Sequence, residues 1–383
     1  MNRKICVVVT VRASYSRIKT LLLAIKTHPN LTLQLVVTGS ILLEKYGCLL
    51  NQIKQDGFDN IIKVSNLLEN ENATAAAKTT GLGIIELASI FENIQPDIVV
   101  TIADRYETIS AAVAASFMNI PLAHVQGGEV TGNIDEKVRH AVSKLADYHF
   151  VATDTARQRL IRMGELPDHV WHTGCPSIDL AFQIKNNRPM QFDYENCQSV
   201  LGKPGKTGRY LVVMHHPVTT ENNAIRHQTD TLLQVIDALR LPTFWFTPNP
   251  DYGSSGVSER IKAFKMTNKN LMIYFLRNLN PELFLKLVKG CACLIGNSST
   301  GIREGSFLGT PVVNIGNRQR GRERAANVLD VVHEPEAIMN AIQKQLDYGP
   351  YSGVCLYGTG NAGNKIADIL ANVELSIDKQ ITY

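Results

Sequence analysis

The chain has 383 residues, and its 39 Lys and Arg against 35 Asp and Glu give a formal net charge of +4. This small excess argues against a dedicated nucleic-acid-binding protein, which usually carries a dense basic face, and a hydrophobic content of 44% is too high for a disordered chain. No apolar run approaches the roughly 18 residues of a transmembrane helix, and residues 5–9 are too short for a signal-peptide core. We therefore expect a cytoplasmic protein of two or more domains, without nucleic-acid or membrane partners.

The predicted elements alternate between strands and helices along the first half of the chain. Apolar runs predict strands at residues 4–10, 31–38, 98–102, 122–125 and 148–152. Three-and-four spacing of apolar residues predicts helices at 15–26, from 40 onward, and at 108–118, 135–145 and 154–163.

A polar stretch at residues 183–208 interrupts this alternation and is the predicted interdomain linker. After it, strands are predicted at 210–214, 243–246, 271–274, 292–295 and 312–314, with helices such as 224–239 and 281–289 between them. Strand–helix alternation predicts parallel sheets with right-handed crossovers, and therefore two α/β halves.

The seven cysteines and the His215-His216 pair give no metal or disulfide pattern. The cysteines have irregular spacing without a C-x-x-C, and Cys291 and Cys293 lie in a strand-like run, which predicts buried packing groups. Adjacent residues on an extended chain point in opposite directions, so two neighbouring histidines rarely bind one ion. We expect neither a disulfide framework nor a metal site.

Ligands of open parallel sheets bind at the loops after the strands, so the functional residues are expected there. The first such loop has no GxGxxG and therefore no dinucleotide fingerprint. Two interpretations of it stay open. Ser14 or Ser16 caps the following helix and Arg12 is solvated, or Arg12 joins an anion site at the helix N-terminus.

Carboxylates follow the next two strands of the first half. Asp104 and Arg105 either form an ion pair that caps a helix or place a carboxylate over the cleft. Gly127 and Gly128 allow close approach of the backbone to a ligand. Glu129 and Asp135 flank that turn, although Asp135 could simply face the dipole of the next helix.

In the second half, His216 follows a strand and precedes a proline, which restricts it to an extended conformation. Ser298 and Ser299 stand where a strand runs into a helix, either as caps or as a phosphate cradle. Glu304, about one turn later, could accept hydrogen bonds from ribose hydroxyls, and Arg318 could add a cation near the phosphates.

Taken in chain order, these motifs resemble the hydrolysing UDP-N-acetylglucosamine 2-epimerases of sialic-acid and nonulosonate synthesis. The matching blocks span residues 4–325 and are 37–40 with 46–47, 104–105, 127–132, 134–135, 139–141, 216–220, 296–299 with 301–304, and 318–319. An ordered set of this kind is far more specific than any single motif.

The resemblance implies an α/β protein of the GT-B architecture, with two Rossmann-like domains facing a cleft. The expected domains are residues 1–182, residues 183–357, which bind UDP, and a C-terminal helical segment 358–383 whose helix, around 361–373, packs back on the first domain. The implied substrate is a UDP-2-acetamido sugar, the implied assembly is a homodimer or homotetramer, and no cofactor is implied. The implied reaction eliminates UDP to a 2-acetamidoglycal and adds water to give the free C2-epimer.

The resemblance also assigns roles to the residues after the strands. The expected catalytic residues are Asp104, Glu129, Asp135 and His216. The expected substrate-binding residues are Arg12, Ser16, Arg105, Ser298, Ser299, Glu304 and Arg318.

The sequence departs from the family pattern at a few positions of the first half. Gln126 replaces a frequent Glu and cannot act as a base, Ile41 replaces a frequent His, and Val11 and Ser14 replace polar and acidic residues. These departures leave open a 4-amino or 2,4-diacetamido sugar nucleotide as the substrate. The alternatives are a non-hydrolysing 2-epimerase, a GT-B glycosyltransferase and a non-catalytic regulator that binds nucleotide sugars.

Overall fold

The structure is a computed structural model, and it describes residues 2–43, 49–70, 72–131, 134–186, 209–218, 221, 224–248, 253–268, 272–276 and 279–383. The strands are β1 Arg3–Val9, β2 Leu31–Thr38, β3 Ile61–Val64, β4 Ile98–Ile102, β5 Leu122–Val125, β6 Tyr148–Val151, β7 Val170–His172, β8 Leu211–Met214, β9 Thr243–Phe246, β10 Ile273–Leu276, β11 Cys293–Gly296, β12 Val312–Ile315 and β13 Val328–Val331. The helices are α1 Arg12–Thr27, α2 Leu49–Gln55, α3 Ala73–Ile94, α4 Thr108–Phe117, α5 Ile134–Leu145, α6 Asp154–Arg162, α7 Pro176–Asn186, α8 Ile225–Ala238, α9 Ser254–Thr267, α10 Pro281–Gly290, α11 Ser299–Ile302, α12 Glu304–Leu308, α13 Pro335–Tyr348 and α14 Ala362–Asn372, with 3₁₀ turns at Gly39–Leu42 and Pro167–His169.

The chain divides into two compact α/β units, each built on a parallel sheet. Unit 1 comprises Met1–Val130, Ile134–Leu180 and Tyr357–Tyr383, and unit 2 comprises Thr131–Asn133 and Ala181–Leu356. The strand order is β3-β2-β1-β4-β5-β6-β7 in unit 1 and β10-β9-β8-β11-β12-β13 in unit 2. The predicted fold class of two parallel α/β domains is confirmed, whereas the boundaries at 182 and 357 stay a prediction.

Each central strand is apolar on both faces because helices cover both sides of its sheet. In β1, Ile5, Val7 and Val9 belong to one hydrophobic cluster, and Cys6 and Val8 belong to the cluster on the other face. In unit 2, β8 divides its residues between two clusters in the same alternating way. The period of two places the core and leaves the strand ends to carry polar residues.

The largest element that the sequence patterns missed is α3, which has 22 residues. Its buried positions are Ala75, Thr79, Gly83, Leu87 and Phe91, one residue in every four. Three of the five are small or polar, so the apolar periodicity is weak where the helix packs on the sheet. Helix α3 therefore had no clear hydrophobic signal.

Other predicted elements shift by a few residues. Helix α1 begins at Arg12 instead of residue 15, and β10 is Ile273–Leu276 instead of 271–274. The first four residues of the predicted linker, 183–186, belong to α7, and residues 187–208 lie outside the described residues. Strands β3, β7 and β13 were not predicted, and each is three or four residues long.

The C-terminal segment Tyr357–Tyr383 is part of unit 1 and is held to the rest of that unit by several hydrogen bonds. Asp179 accepts hydrogen bonds from the backbone N–H groups of Ala362 (2.8 Å) and Gly363 (2.7 Å) at the start of α14, which packs on α1. Further along, Lys379 donates to Glu165. Burial alone would raise the pKa of Glu165, but hydrogen bonds from His149, Lys144 and Lys379 outweigh burial and lower it to about 2.

Cys291 and Cys293 are buried, as predicted, and burial raises the pKa of both thiols. Across the described ranges, no helix is both long enough and apolar enough to cross a lipid bilayer.

Candidate active site

The loop between β1 and α1 carries Arg12 and Ser16. The N-cap of α1 is Val11, and no side chain caps the helix, so the predicted capping by Ser14 or Ser16 is wrong. The helix begins three residues earlier than expected, which places both serines inside its first turns, and Ser16 Oγ donates to the carbonyl oxygen of Arg12 at 3.1 Å. Burial lowers the pKa of Arg12 to about 10, so its guanidinium stays charged at neutral pH.

Arg139 donates hydrogen bonds to three acidic residues of unit 1. Its side chain is 0% exposed, and it donates to a carboxylate oxygen of Asp104, the carbonyl oxygen of Glu129 at 2.9 Å and a carboxylate oxygen of Glu136 at 2.9 Å. Asp104 follows β4, Glu129 follows β5, and Arg139 is on α5. One guanidinium therefore fixes three segments that are distant in sequence.

The charge of Arg139 is maintained by these partners. Burial of the guanidinium alone would lower its pKa, but Asp104, Glu129 and Glu136 outweigh burial, and the pKa of Arg139 lies above its ordinary value. An arginine at this position was visible in the sequence as part of a matching block. Its contact with Asp104, 35 residues away, was not.

The turn after β5 requires both of its glycines. Gly128 has φ +75°, and a Cβ on it would lie 2.4 Å from the carbonyl oxygen of Ala156. A Cβ on Gly127 would lie 2.8 Å from Ser143 Oγ. The close approach that the structure shows here is to the protein's own groups, and the predicted approach to a ligand stays a prediction. Glu129, which follows directly, is 5% exposed.

All four positions that depart from the family pattern, Val11, Ser14, Ile41 and Gln126, are buried. Gln126 is fully buried and donates through Nε2 to Cys175 Sγ at 2.8 Å. Ile41 is buried and belongs to the hydrophobic core of unit 1, together with Tyr15 and Ile53. Ile41 therefore packs the core of unit 1.

Arg105 and Asp135 are the chain neighbours of Asp104 and Glu136, which Arg139 contacts. Arg105 donates twice to the carboxylate of Glu107, from Nε at 3.2 Å and from Nη2 at 3.1 Å. Asp135 lies in the first turn of α5. Its neighbour Glu136 contacts Arg139 and also His140, whose Nε2 lies 2.8 Å from its carboxylate.

Asn297 connects the predicted site residues of unit 2. Its side-chain oxygen accepts from the backbone N–H of His216 at 2.8 Å, and its side-chain nitrogen donates to the carbonyl oxygen of His216 at 2.8 Å. Its own carbonyl oxygen accepts from Arg318 at 3.1 Å and from Gln319 at 2.9 Å. Since β8, β11 and β12 are neighbours in the sheet, His216, Asn297 and Arg318 gather at one edge.

The Gly-Asn-Ser-Ser segment starts a pair of short helices. Ser298 is the N-cap of α11, and its Oγ accepts from the backbone N–H of Thr300 at 3.3 Å. Ser299 and Glu304 are both largely buried, at 6% and 7% exposure. Ser298 therefore caps α11, its binding to a phosphate stays a prediction, and Asn297 is the residue of this segment whose contacts sequence reasoning missed.

His215, the residue before His216, is buried beside another histidine of unit 2. The His215 ring packs edge-on against His333 at 5.7 Å between centroids. Burial, with smaller contributions from His333 and Arg318, lowers the pKa of His215 to about 3. Among the described residues, no three His, Cys, Asp or Glu side chains gather as potential metal ligands.

Some residues of the matching blocks lie outside the described residues. They are Tyr46, Gly47, Gly132, Thr219 and Thr220. Each unit, taken by itself, offers one set of polar groups. Unit 1 supplies carboxylates around a buried arginine, which suit proton transfer, and unit 2 supplies a cation, hydroxyls and a histidine, which suit an anionic leaving group.

Comparisons with known proteins match most of the chain to 2-epimerases. A profile of the UDP-N-acetylglucosamine 2-epimerase family matches residues 23–371. A Legionella pneumophila protein named UDP-N,N'-diacetylbacillosamine 2-epimerase (hydrolyzing) is 34% identical over 98% of this chain and 97% of its own length. A Campylobacter jejuni protein named GDP/UDP-N,N'-diacetylbacillosamine 2-epimerase (hydrolyzing) is 34% identical over 86% of this chain and 84% of its own length.

Solved structures agree in fold. The crystal structure of UDP-GlcNAc 2-epimerase from Neisseria meningitidis bound to UDP-GlcNAc has a TM-score of 0.78 to this chain at 16% identity, and covers 96% of this chain and 99% of its own. At that identity the likeness establishes the fold, which is GT-B-like. With the family profile and the two relatives, this protein therefore belongs to the UDP-N-acetylglucosamine 2-epimerase family and is an epimerase.

Proposed function

We propose that this protein is a hydrolysing 2-epimerase, which converts a UDP-2-acetamido sugar and water into UDP and the free sugar epimerised at C2. The names of the Legionella and Campylobacter relatives support the hydrolysing reaction. The same names support a 2,4-diacetamido sugar as the first substrate to test, with UDP-N-acetylglucosamine as the second.

The proposed reaction has two steps. A base removes the C2 proton while the C1–O bond breaks and UDP leaves, which gives a 2-acetamidoglycal. Water then adds at C1 and a proton returns to C2 from the opposite face, which gives the epimer. The C2 proton is weakly acidic, so each proton transfer needs a positioned acid or base.

The observation that carries the proposal is the arrangement of acidic segments around Arg139. Asp104 and Glu129 lie next to one buried guanidinium, which sets the position of the Asp104 carboxylate and of the Glu129 backbone. We propose Asp104, Glu129 and Asp135 for the proton transfers in unit 1, with His216 as the fourth group. Acidic residues held in this way, Asp104 through its carboxylate and Glu129 through its backbone, suit a reaction that takes a proton from one face and returns it to the other.

The second half of the proposal concerns the leaving group. Negative charge grows on the UDP oxygen as the C1–O bond breaks, so donors placed at the diphosphate lower the barrier. Arg318, Ser298 and Ser299 are proposed for the diphosphate, and Glu304 is proposed for the ribose. Arg12, Ser16 and Arg105 are proposed substrate-binding residues of unit 1.

The proposal is tested by incubating the protein with separate UDP-linked 2-acetamido sugars and following free UDP by ³¹P NMR. UDP-N,N'-diacetylbacillosamine and UDP-N-acetylglucosamine are the first two, with their GDP counterparts as a test of the nucleotide. Asp104→Asn and His216→Ala should each lower the rate of UDP release at least about 100-fold, the usual scale for a lost acid–base group.

A matched control is Arg226→Gln, because Arg226 is a surface residue paired with exposed Glu259. This variant should release UDP at the wild-type rate. A wild-type protein that leaves every sugar nucleotide intact would contradict the proposed function.

A further inference from the structure

His124 forms two hydrogen bonds inside unit 1, and neither partner is among the proposed catalytic residues. It lies in β5 and is 0% exposed. Its Nε2 is 2.8 Å from the carbonyl oxygen of Ala103, and its Nδ1 is 3.0 Å from Ser143 Oγ. Ala103 directly precedes Asp104 in the chain. Ser143 stands four residues after Arg139, on the same face of α5.

The partners fix the tautomer of His124. A carbonyl oxygen only accepts hydrogen bonds, so Nε2 must carry the proton. Burial lowers the pKa of His124 to about 3, which keeps the ring neutral at the pH values of ordinary assays. The lone pair of Nδ1 then accepts the hydrogen of the Ser143 hydroxyl, and each ring nitrogen has a single role.

The bond to Ala103 holds an unusual backbone conformation. Ala103 has φ +66°, in the left-handed region that residues with a Cβ seldom adopt. Its carbonyl oxygen is held by His124 Nε2, and its backbone N–H donates to the carbonyl oxygen of Val125 at 2.9 Å. The direction in which the chain enters Asp104 is set by this residue.

The bond to Ser143 is covered by the Gly-Gly turn. A Cβ on Gly127 would lie 2.8 Å from Ser143 Oγ and 2.9 Å from His124 Nδ1, so the turn rests directly on the two bonded groups. Glu129 follows two residues later. The bonded His124 and Ser143 side chains therefore fix the position of the turn that carries Glu129.

These contacts close a ring. Asp104 is bound by Arg139, Arg139 and Ser143 share a face of α5, Ser143 binds His124, and His124 binds the residue before Asp104. We infer that His124 is a positioning residue, which fixes the Asp104 carboxylate relative to Glu129 without touching the substrate. This inference rests on the proposed function, in which Asp104 and Glu129 perform the proton transfers.

Two amide variants separate the two bonds of His124. In His124→Gln the side-chain nitrogen takes the place of Nε2 and keeps the donor to Ala103. In His124→Asn the shorter side chain places its oxygen near Nδ1, keeps the acceptor for Ser143 and loses the bond to Ala103. Both variants carry a side-chain amide, and they differ in which of the two hydrogen bonds of His124 is kept.

We expect His124→Asn to lower kcat about 100-fold, the scale of a misplaced catalytic group, with KM and the Kd for UDP within about twofold of wild type. The kcat of His124→Gln should be about tenfold higher than that of His124→Asn. A purely structural histidine would lower Tm in both variants and leave the kcat of the folded fraction unchanged. Equal kcat in the two variants, or a wild-type kcat in His124→Asn, would overturn the inference.

The tautomer gives a test that needs no substrate. In ¹⁵N NMR spectra of histidine-labelled wild-type protein, the His124 ring, assigned by its loss in His124→Gln, should be protonated at Nε2 only, at both pH 7 and pH 5. A proton on Nδ1 at either pH would contradict the ring of contacts, even if UDP release by the wild type had already failed and removed the proposed function.

Discussion

Replacement of Arg139 by methionine removes a buried cation and leaves its acidic partners in place. The Arg139 side chain is 0% exposed and the Asp104 side chain is 9% exposed, so water cannot take over the lost hydrogen bonds. Removing one partner of a buried ion pair costs about 3–5 kcal/mol. Glu136 is 28% exposed and can turn to solvent, which places the expected loss near the lower end, about 3 kcal/mol.

The assay can follow unit 1 alone because each unit contains one of the two tryptophans, Trp171 in unit 1 and Trp245 in unit 2. In a Trp245→Phe background, urea unfolding monitored by tryptophan emission reports the free energy of unfolding around Trp171. Arg139→Met should lower that free energy by about 3 kcal/mol, and adding Asp104→Asn should restore part of the loss, since the uncompensated carboxylate is then neutral.

The control is Arg226→Met, which breaks a pair with Glu259 whose side chains are 69% and 59% exposed. An exposed pair contributes about 1 kcal/mol or less, so this variant should unfold almost like the parent. An Arg139→Met protein within about 1 kcal/mol of its parent would refute the claim that this guanidinium offsets buried carboxylates.

Three further predictions concern other parts of the two units. Asn297→Asp replaces the donor to the His216 carbonyl with an acceptor and should raise the Kd for UDP about tenfold, as expected for a loss near 1.4 kcal/mol, measured by calorimetry; an unchanged Kd would contradict the role of Asn297. The pKa of Glu165 is lowered to about 2 in the folded protein from an ordinary 4.5, so its stabilisation is present above pH 4.5 and is lost as the pH falls toward 2. Glu165→Gln should therefore lower Tm at pH 6 and flatten its fall below pH 4.5, and parallel curves for the two proteins would disprove this. Gly128→Ala should lower the free energy of unfolding by about 2 kcal/mol or more because of its positive φ and its contact with a carbonyl oxygen, and an unchanged urea midpoint would exclude that strain.

The fold was largely predictable because parallel strands buried on both faces leave continuous apolar runs. The runs at β1, β4 and β5 stand out in the sequence and define the sheet of unit 1. Helix α3 was missed because its buried side includes Ala75, Thr79 and Gly83, which contribute little hydrophobic signal. Patterns of hydrophobicity detect large buried side chains and overlook close packing through small ones.

The sequence predicted where the candidate site residues lie, but it did not predict which of them bond to one another. The ends of strands indicated Asp104 and Glu129, since ligands of open α/β sheets bind there. The pairing of Asp104 with Arg139 and the bond between Gln126 and Cys175 join residues 35 and 49 positions apart, and no local spacing encodes them. Long-range polar contacts become visible only once the strands are arranged in a sheet.

The most direct test of the proposed reaction is a ¹H NMR time course in D₂O with UDP-N,N'-diacetylbacillosamine, and in parallel with UDP-N-acetylglucosamine. We expect free UDP and a free sugar with the inverted configuration at C2 and deuterium at that carbon, because the C2 proton exchanges with solvent between the two steps. A C2-epimer that still carries UDP would identify a non-hydrolysing epimerase. Free UDP with an unepimerised sugar that keeps its C2 proton would contradict the elimination altogether.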